Sequence, residues 1–105
     1  MTNKRIDIFL KILPLYNKDD IIYPGTLIRQ LNINMKQAYQ LLELLESMGV
    51  LERNFEIYCS GCNKYTGAVY RTIKEVPDDL LCEECEKEIN PLEDTIIVYR
   101  MLIEI

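Results

Sequence analysis

Four cysteines in two matching pairs, Cys59/Cys62 and Cys82/Cys85, are the residues of this chain whose type and spacing could do chemistry. The pattern is C-x2-C-x19-C-x2-C. Two C-x2-C tips can bring four sulfurs into a tetrahedron around one ion, which is the closed arrangement of a structural zinc site. The spacer of 19 residues falls inside the window of such sites. The chain has no histidine, so no mixed Cys/His set competes. Soft thiolates in tetrahedral array favour zinc, with iron in a rubredoxin-like site as the second occupant. A redox C-x2-C needs a thiolate activated by basic neighbours; Cys82 and Cys85 instead sit amid Glu83, Glu84, Glu86 and Glu88. Four protein ligands leave no open coordination position, so the expected ion is structural and has no catalytic role.

No second chemistry competes with this one. Without histidine, Ser47 and Ser60 lack an evident activating base, and no Gly-rich phosphate loop is present. The many carboxylates lie in acidic segments with no recognisable pocket. The expectation is a protein that is not an enzyme and takes no small-molecule substrate.

Stepping outward, 105 residues make one compact domain or two very small units sharing a sheet, a size at which a bound metal adds useful stability. The composition, 49% hydrophobic and 28% charged, is that of a globular chain. The N-terminal MTNKRIDIFLKIL has neither a long apolar run nor a small-residue cleavage site, so it does not read as a signal peptide. The most apolar stretch, residues 95–105, contains Arg100 and Glu104 and is too short to span a bilayer as a helix. A cytoplasmic location is expected, where thiols stay reduced.

Periodicity supplies the elements that must position the cysteines. Ile6, Phe9, Leu10 and Leu13 recur at helical spacing and predict an amphipathic first helix over residues 4–13. NKDD at 17–20 reads as a loop, residues 21–23 as a short extended piece, and Pro24 as the start of a second helix ending at Leu31. Asn34 is positioned to cap a third helix, in which Ala38, Leu41, Leu45 and Met48 share a face with Leu42 beside them, and Gly49 ends it. From there the period becomes two. Val50, Leu51, Phe55, Ile57 and Tyr58 predict a strand running into Cys59, residues 67–71 a second, and residues 95–105 a third. In the third, Ile97, Tyr99, Met101, Ile103 and Ile105 share one face and Ile96, Val98 and Leu102 the other. With both faces apolar, this strand is central in a sheet or lies at a subunit contact.

The stretch YPGTLIRQLNINMKQAYQLLELLESMGVLER resembles a bacterial or archaeal winged helix-turn-helix, in the order and spacing of its elements from residue 4 to about 58. Residues 56–105 resemble a zinc ribbon. They depart from it at Asn63 and Glu86, where ribbon knuckles commonly carry glycine. The resemblances imply an α+β fold: a three-helix winged helix-turn-helix over residues 1–58, whose small antiparallel sheet continues into a zinc ribbon and C-terminal strand over residues 59–105. The combination is similar, in architecture, to winged-helix/zinc-ribbon transcription factors. The resemblance also implies a recognition helix whose first turns approach the major groove, which singles out Asn34, Lys36, Gln37, Tyr39 and Gln40. Glu43, Leu44 and Glu46 depart from the basic residues usual in the middle of such a helix.

Charge divides the chain. Residues 1–42 carry six basic against three acidic groups, while residues 75–94 carry nine acids and one lysine. The front could face a phosphate backbone, and the back would repel one. Two functions are therefore expected. One is a small zinc-stabilised regulator of transcription that binds duplex DNA. The other is a non-catalytic adaptor or accessory subunit that meets a protein partner, or a second copy, through the C-terminal strand and its Ile97/Tyr99/Met101 face. No membrane contact is expected.

Overall fold

The computed structural model describes residues 3–104. It is a mixed α+β fold of three helices and a four-stranded sheet. In chain order the elements are α1 (Asn3–Ile12), a 3-10 turn at Leu13–Leu15, β1 (Ile21–Ile22), α2 (Pro24–Leu31), α3 (Met35–Ser47), β2 (Leu51–Cys59), β3 (Lys64–Tyr70), a second 3-10 turn at Ile73–Glu75, and β4 (Thr95–Met101). The strand order is β1-β4-β2-β3, with β1 antiparallel to β4 and β2 antiparallel to β3. Contacts group the chain into two compact units, residues 1–53 with 99–105, and residues 54–98. β2 and β4 each run from one unit into the other.

In the first unit local chemistry sets the helix ends. Pro24 opens α2, where its missing N–H costs no hydrogen bond. Asn32 closes α2 in the left-handed conformation, φ 52°, which asparagine tolerates. Asn34 then caps α3 reciprocally: its side chain accepts from the Gln37 N–H at 2.8 Å, and the Gln37 side chain accepts from the Asn34 N–H at 3.1 Å. Gly49 ends the helix at φ 78°, a conformation only glycine adopts without strain. α2 packs against both α1 and α3, and Phe9, Leu13, Leu27, Leu31, Ala38 and Leu42 are buried. Each fully buried large apolar side chain contributes about 1.5–3 kcal/mol.

The structure departs from the periodic reading at five places. Leu10 is 54% and Met48 65% exposed, so neither belongs to the apolar face assigned to it; Met48 caps α3 and leaves the helical repeat there. Ile6 and Ile105 lie outside the described side chains. β2 does not alternate cleanly. Asn54 and Glu56 are buried while Phe55 is only half-buried, and the pairing with β3 shifts between Glu56 and Tyr58. The shift leaves two extra residues on β3 between Tyr65 and Val69, and the Glu56 carboxylate accepts from the Gly67 N–H there at 3.2 Å. β3 begins earlier than predicted, at Lys64, and β4 ends at Met101. β4 lies between β1 and β2 in the sheet, with the two-residue β1 paired to it at Tyr99 and Arg100.

Candidate metal centre

Cys59 ends β2 and pairs in register with Lys64, the first residue of β3. Ser60–Asn63 is thus the tip of a hairpin that carries Cys62. The second pair is held by a smaller return of the chain: the Cys82 N–H donates to the Lys87 carbonyl at 2.9 Å, the Glu86 N–H to the Cys82 carbonyl at 2.9 Å, and Leu81 bridges Glu88. Asn63 and Glu86, which follow the second cysteine of each pair, both sit in the left-handed region at φ 55° and 60°. Both tips therefore use the left-handed conformation at the matching position, and neither has glycine there. At Glu86 that conformation costs about 1–2 kcal/mol. Glu86→Gly is expected to raise stability by about 1 kcal/mol, after the extra freedom of glycine in the unfolded chain is deducted. The check is the urea midpoint at fixed free metal; an unchanged or lower midpoint would refute it.

The two tips bring the four sulfurs together. All four lie within 4.8 Å of one another, with Cys59 to Cys85 at 3.5 Å and Cys62 to Cys82 at 3.7 Å. None forms a disulfide. A tetrahedron with metal–sulfur bonds of about 2.3 Å has edges of about 3.8 Å, so the donor set fits one tetrahedral ion, and the four cysteines can bind a metal. Cys59 and Cys82 are buried, Cys62 is half-buried and Cys85 exposed.

Without a cation the thiols hold their protons unequally. The Cys62 backbone N–H, followed by contacts from the other sulfurs, outweighs burial and brings Cys59 down to about 7. Burial, then proton sharing with its three neighbours, pushes Cys62 up to about 12. At Cys85 the Lys87 N–H favours the thiolate, but sharing with Cys59 and burial outweigh it and raise the thiol. A cation entering the site displaces these protons, so its affinity falls as the medium becomes more acidic.

Asp94 is the residue of this site that the sequence did not reveal. It appeared only as one of nine acids in a segment read for its charge, yet its side chain is fully buried. It accepts from Ser60 Oγ at 2.6 Å, from Lys87 Nζ at 2.6 Å and from the Asn90 N–H at 2.8 Å. Its own carbonyl accepts from the Tyr58 N–H at 2.9 Å. One carboxylate therefore ties the first tip, through Ser60, to the second, through Lys87. Burial alone would raise its pKa; the Lys87, Ser60 and Asn90 donors overcome that and hold it well below the usual carboxylate range. A carboxylate so depressed is a poor proton acceptor, so the base that Ser60 gains here is an anchor for the loop. Gly61 is the second such residue. A Cβ there would lie 3.0 Å from Lys87 Cδ and 3.3 Å from Cys85 Sγ, so any larger residue obliges Lys87 or the sulfur to give by a few tenths of an ångström. Only the acidity of the region and a glycine inside a C-x2-C hinted at these roles.

The residues singled out for DNA lie together at the start of α3, in varied states. Asn34 and Gln37 spend their side chains on the reciprocal cap. Tyr39 is half-buried, its ring 6.5 Å from that of Tyr99. Lys36 and Gln40 are exposed. Further along, Glu43 and Glu46 face Arg53 at 3.6 and 3.7 Å, so part of the acidic charge of α3 is balanced within this unit. On β4, Tyr99 and Met101 are buried and Ile97 is half-buried, so two of the three side chains expected to receive a partner are already covered. Among the described residues no helix is long and apolar enough to cross a membrane. Comparison of the chain with protein-family models, with curated proteins and with solved structures gives no match.

Proposed function

We propose that this chain is a non-catalytic DNA-binding regulator of transcription, a winged helix-turn-helix whose wing carries a zinc ribbon. The observation that carries the reading is the run from α2 through left-handed Asn32 into the capped start of α3, in a chain where β4 stands between β1 and β2. A winged helix builds its sheet from the strand before the helix-turn-helix and the two strands of the wing. β1, β2 and β4 fill those places, and residues 60–94, with three of the four cysteines, become an insertion between the wing strands, the fourth being Cys59 at the end of β2. The ion assigned to the four sulfurs is zinc, whose preference for a closed tetrahedral thiolate set matches the sulfur spacing; iron is the alternative that elemental analysis separates.

On this reading the exposed Lys36 and Gln40 reach the DNA, lysine to phosphate or guanine and glutamine to adenine. Residues 54–98 carry ten acidic against four basic side chains, whereas the unit containing α3 has eight basic against seven acidic, so duplex DNA engages the α3 side. The test is fluorescence anisotropy with duplexes selected from a random pool. Affinity is expected to fall steeply with salt, and Lys36→Glu to weaken it by about tenfold or more, since phosphate neutralisation supplies most of the attraction. Binding indifferent to salt and to Lys36→Glu would overturn the DNA reading and leave the adaptor.

A further inference from the structure

We propose that the cleft beside the second cysteine pair docks a segment of a partner protein that presents one apolar side chain flanked by lysines or arginines. This goes beyond the DNA reading and uses a different surface. The cleft encloses about 190 Å³ and is walled by Ile57, Ala68, Leu80, Leu81, Ile89 and Tyr65. That space takes a side chain of leucine or phenylalanine size and lies below the roughly 300–1,000 Å³ of pockets for drug-sized ligands. Its mouth is apolar and open: Leu81 is 50% and Tyr65 58% exposed. Its floor is the small core of the unit, where Ile57, Cys82 and Ile89 are buried together with Leu80 packed on them. The wall is firmly held, because the Ile89 N–H donates to the Leu80 carbonyl at 2.9 Å and Leu81 bridges Glu88. The cleft is therefore formed before any partner arrives.

Charge selects the occupant. Glu83 and Glu84 line the cleft, and so do Cys62 and Cys82. Four thiolates around a dication retain two negative charges. Lys64 is the one basic side chain in the lining, and it is paired with Glu84 at 2.7 Å. Residues 54–98 as a whole have a net charge of −6. A nucleic acid is repelled by this surface, and so is a second copy of the same unit. A basic segment is drawn to it, and the open apolar mouth supplies the anchor that charge alone lacks.

The test uses the metal-loaded full chain. Peptides are selected on it from a random displayed library, and the strongest is titrated into isotope-labelled protein by NMR. The expected result is a selected motif with an apolar residue between basic ones, shifting the amides of Leu80, Leu81, Lys64 and Tyr65. Both Leu81→Asp and the double change Glu83→Lys with Glu84→Lys should weaken binding by about tenfold or more. All three side chains are exposed, and retained metal content confirms that the variants are folded. Lys36→Glu should leave peptide affinity unchanged. Motifs without basic residues, shifts located elsewhere, affinity indifferent to Leu81→Asp, or a change of oligomeric state on Leu81→Asp would each overturn the proposal, the last by making the occupant a second copy.

Discussion

Stripping the metal from the purified chain with a strong chelator is expected to unfold residues 54–98. The buried cluster of this unit consists of Ile57, Cys59, Val76, Cys82 and Ile89, so two of its five core residues are themselves sulfur donors. A unit of this size is close to the limit below which chains need a metal or crosslinks to fold. The free energy of a structural zinc site, about 10–16 kcal/mol in small zinc-folded peptides, is in effect their folding energy. Hydrogen exchange should show Ile57, Val76 and Ile89 losing protection on chelation and regaining it when zinc is returned, with about one zinc per chain in the native material. Cys59→Ser or Cys82→Ser should have the same effect without chelator. Native protein that holds no metal, or a stripped protein that keeps its protection, would remove the basis of the metal site.

The second large effect is expected at Asp94. Asp94→Asn leaves the amide to serve Ser60 and the Asn90 N–H but deprives the Lys87 ammonium of its counter-charge. Lys87 is partly open to water, which softens the loss. The expected destabilisation is about 2–3 kcal/mol, less than for a fully buried pair. Its pH dependence follows from the depressed carboxyl. A folded-state pKa below the unfolded value stabilises fully above the unfolded value of about 3.9, and the contribution is lost as pH falls through the folded value. The gap between native chain and variant should therefore be constant near neutrality and close only in strong acid. Urea unfolding at fixed free zinc measures it, with Glu93→Gln, an exposed neighbour, as the control. A difference no larger than that control would show that Asp94 does not tie the two tips together.

Both effects converge on a division of labour within residues 54–98. On these expectations the ion held by the sulfurs supplies the energy that folds the unit, and Asp94, with the close approach at Gly61, sets the geometry in which the two tips meet. Glu86 stands apart, as a strained residue retained at a position where glycine would be easier. The acidic residues around Cys82 and Cys85 also border the cleft proposed to take a basic partner. The two units carry net charges of +1 and −6, the difference on which the proposed DNA and protein partners both rest.

By itself the sequence determined whatever depends on neighbours along the chain. Cap and stop signals such as Pro24, Asn34 and Gly49 act within one turn, so the helices could be placed from them. The metal set was legible because a C-x2-C tip is a local structure and the residue type names the chemistry. Tertiary structure decided what depends on residues far apart in sequence. The irregularity that brings the Gly67 N–H to the Glu56 carboxylate is a mismatch between two strands, and no single strand's pattern contains it. Asp94 looked like its exposed acidic neighbours because its partners, Ser60 and Lys87, are separated from it by 34 and 7 positions. Burial of a charge is decided by what closes over it, and that closure exists only once the two cysteine tips have met.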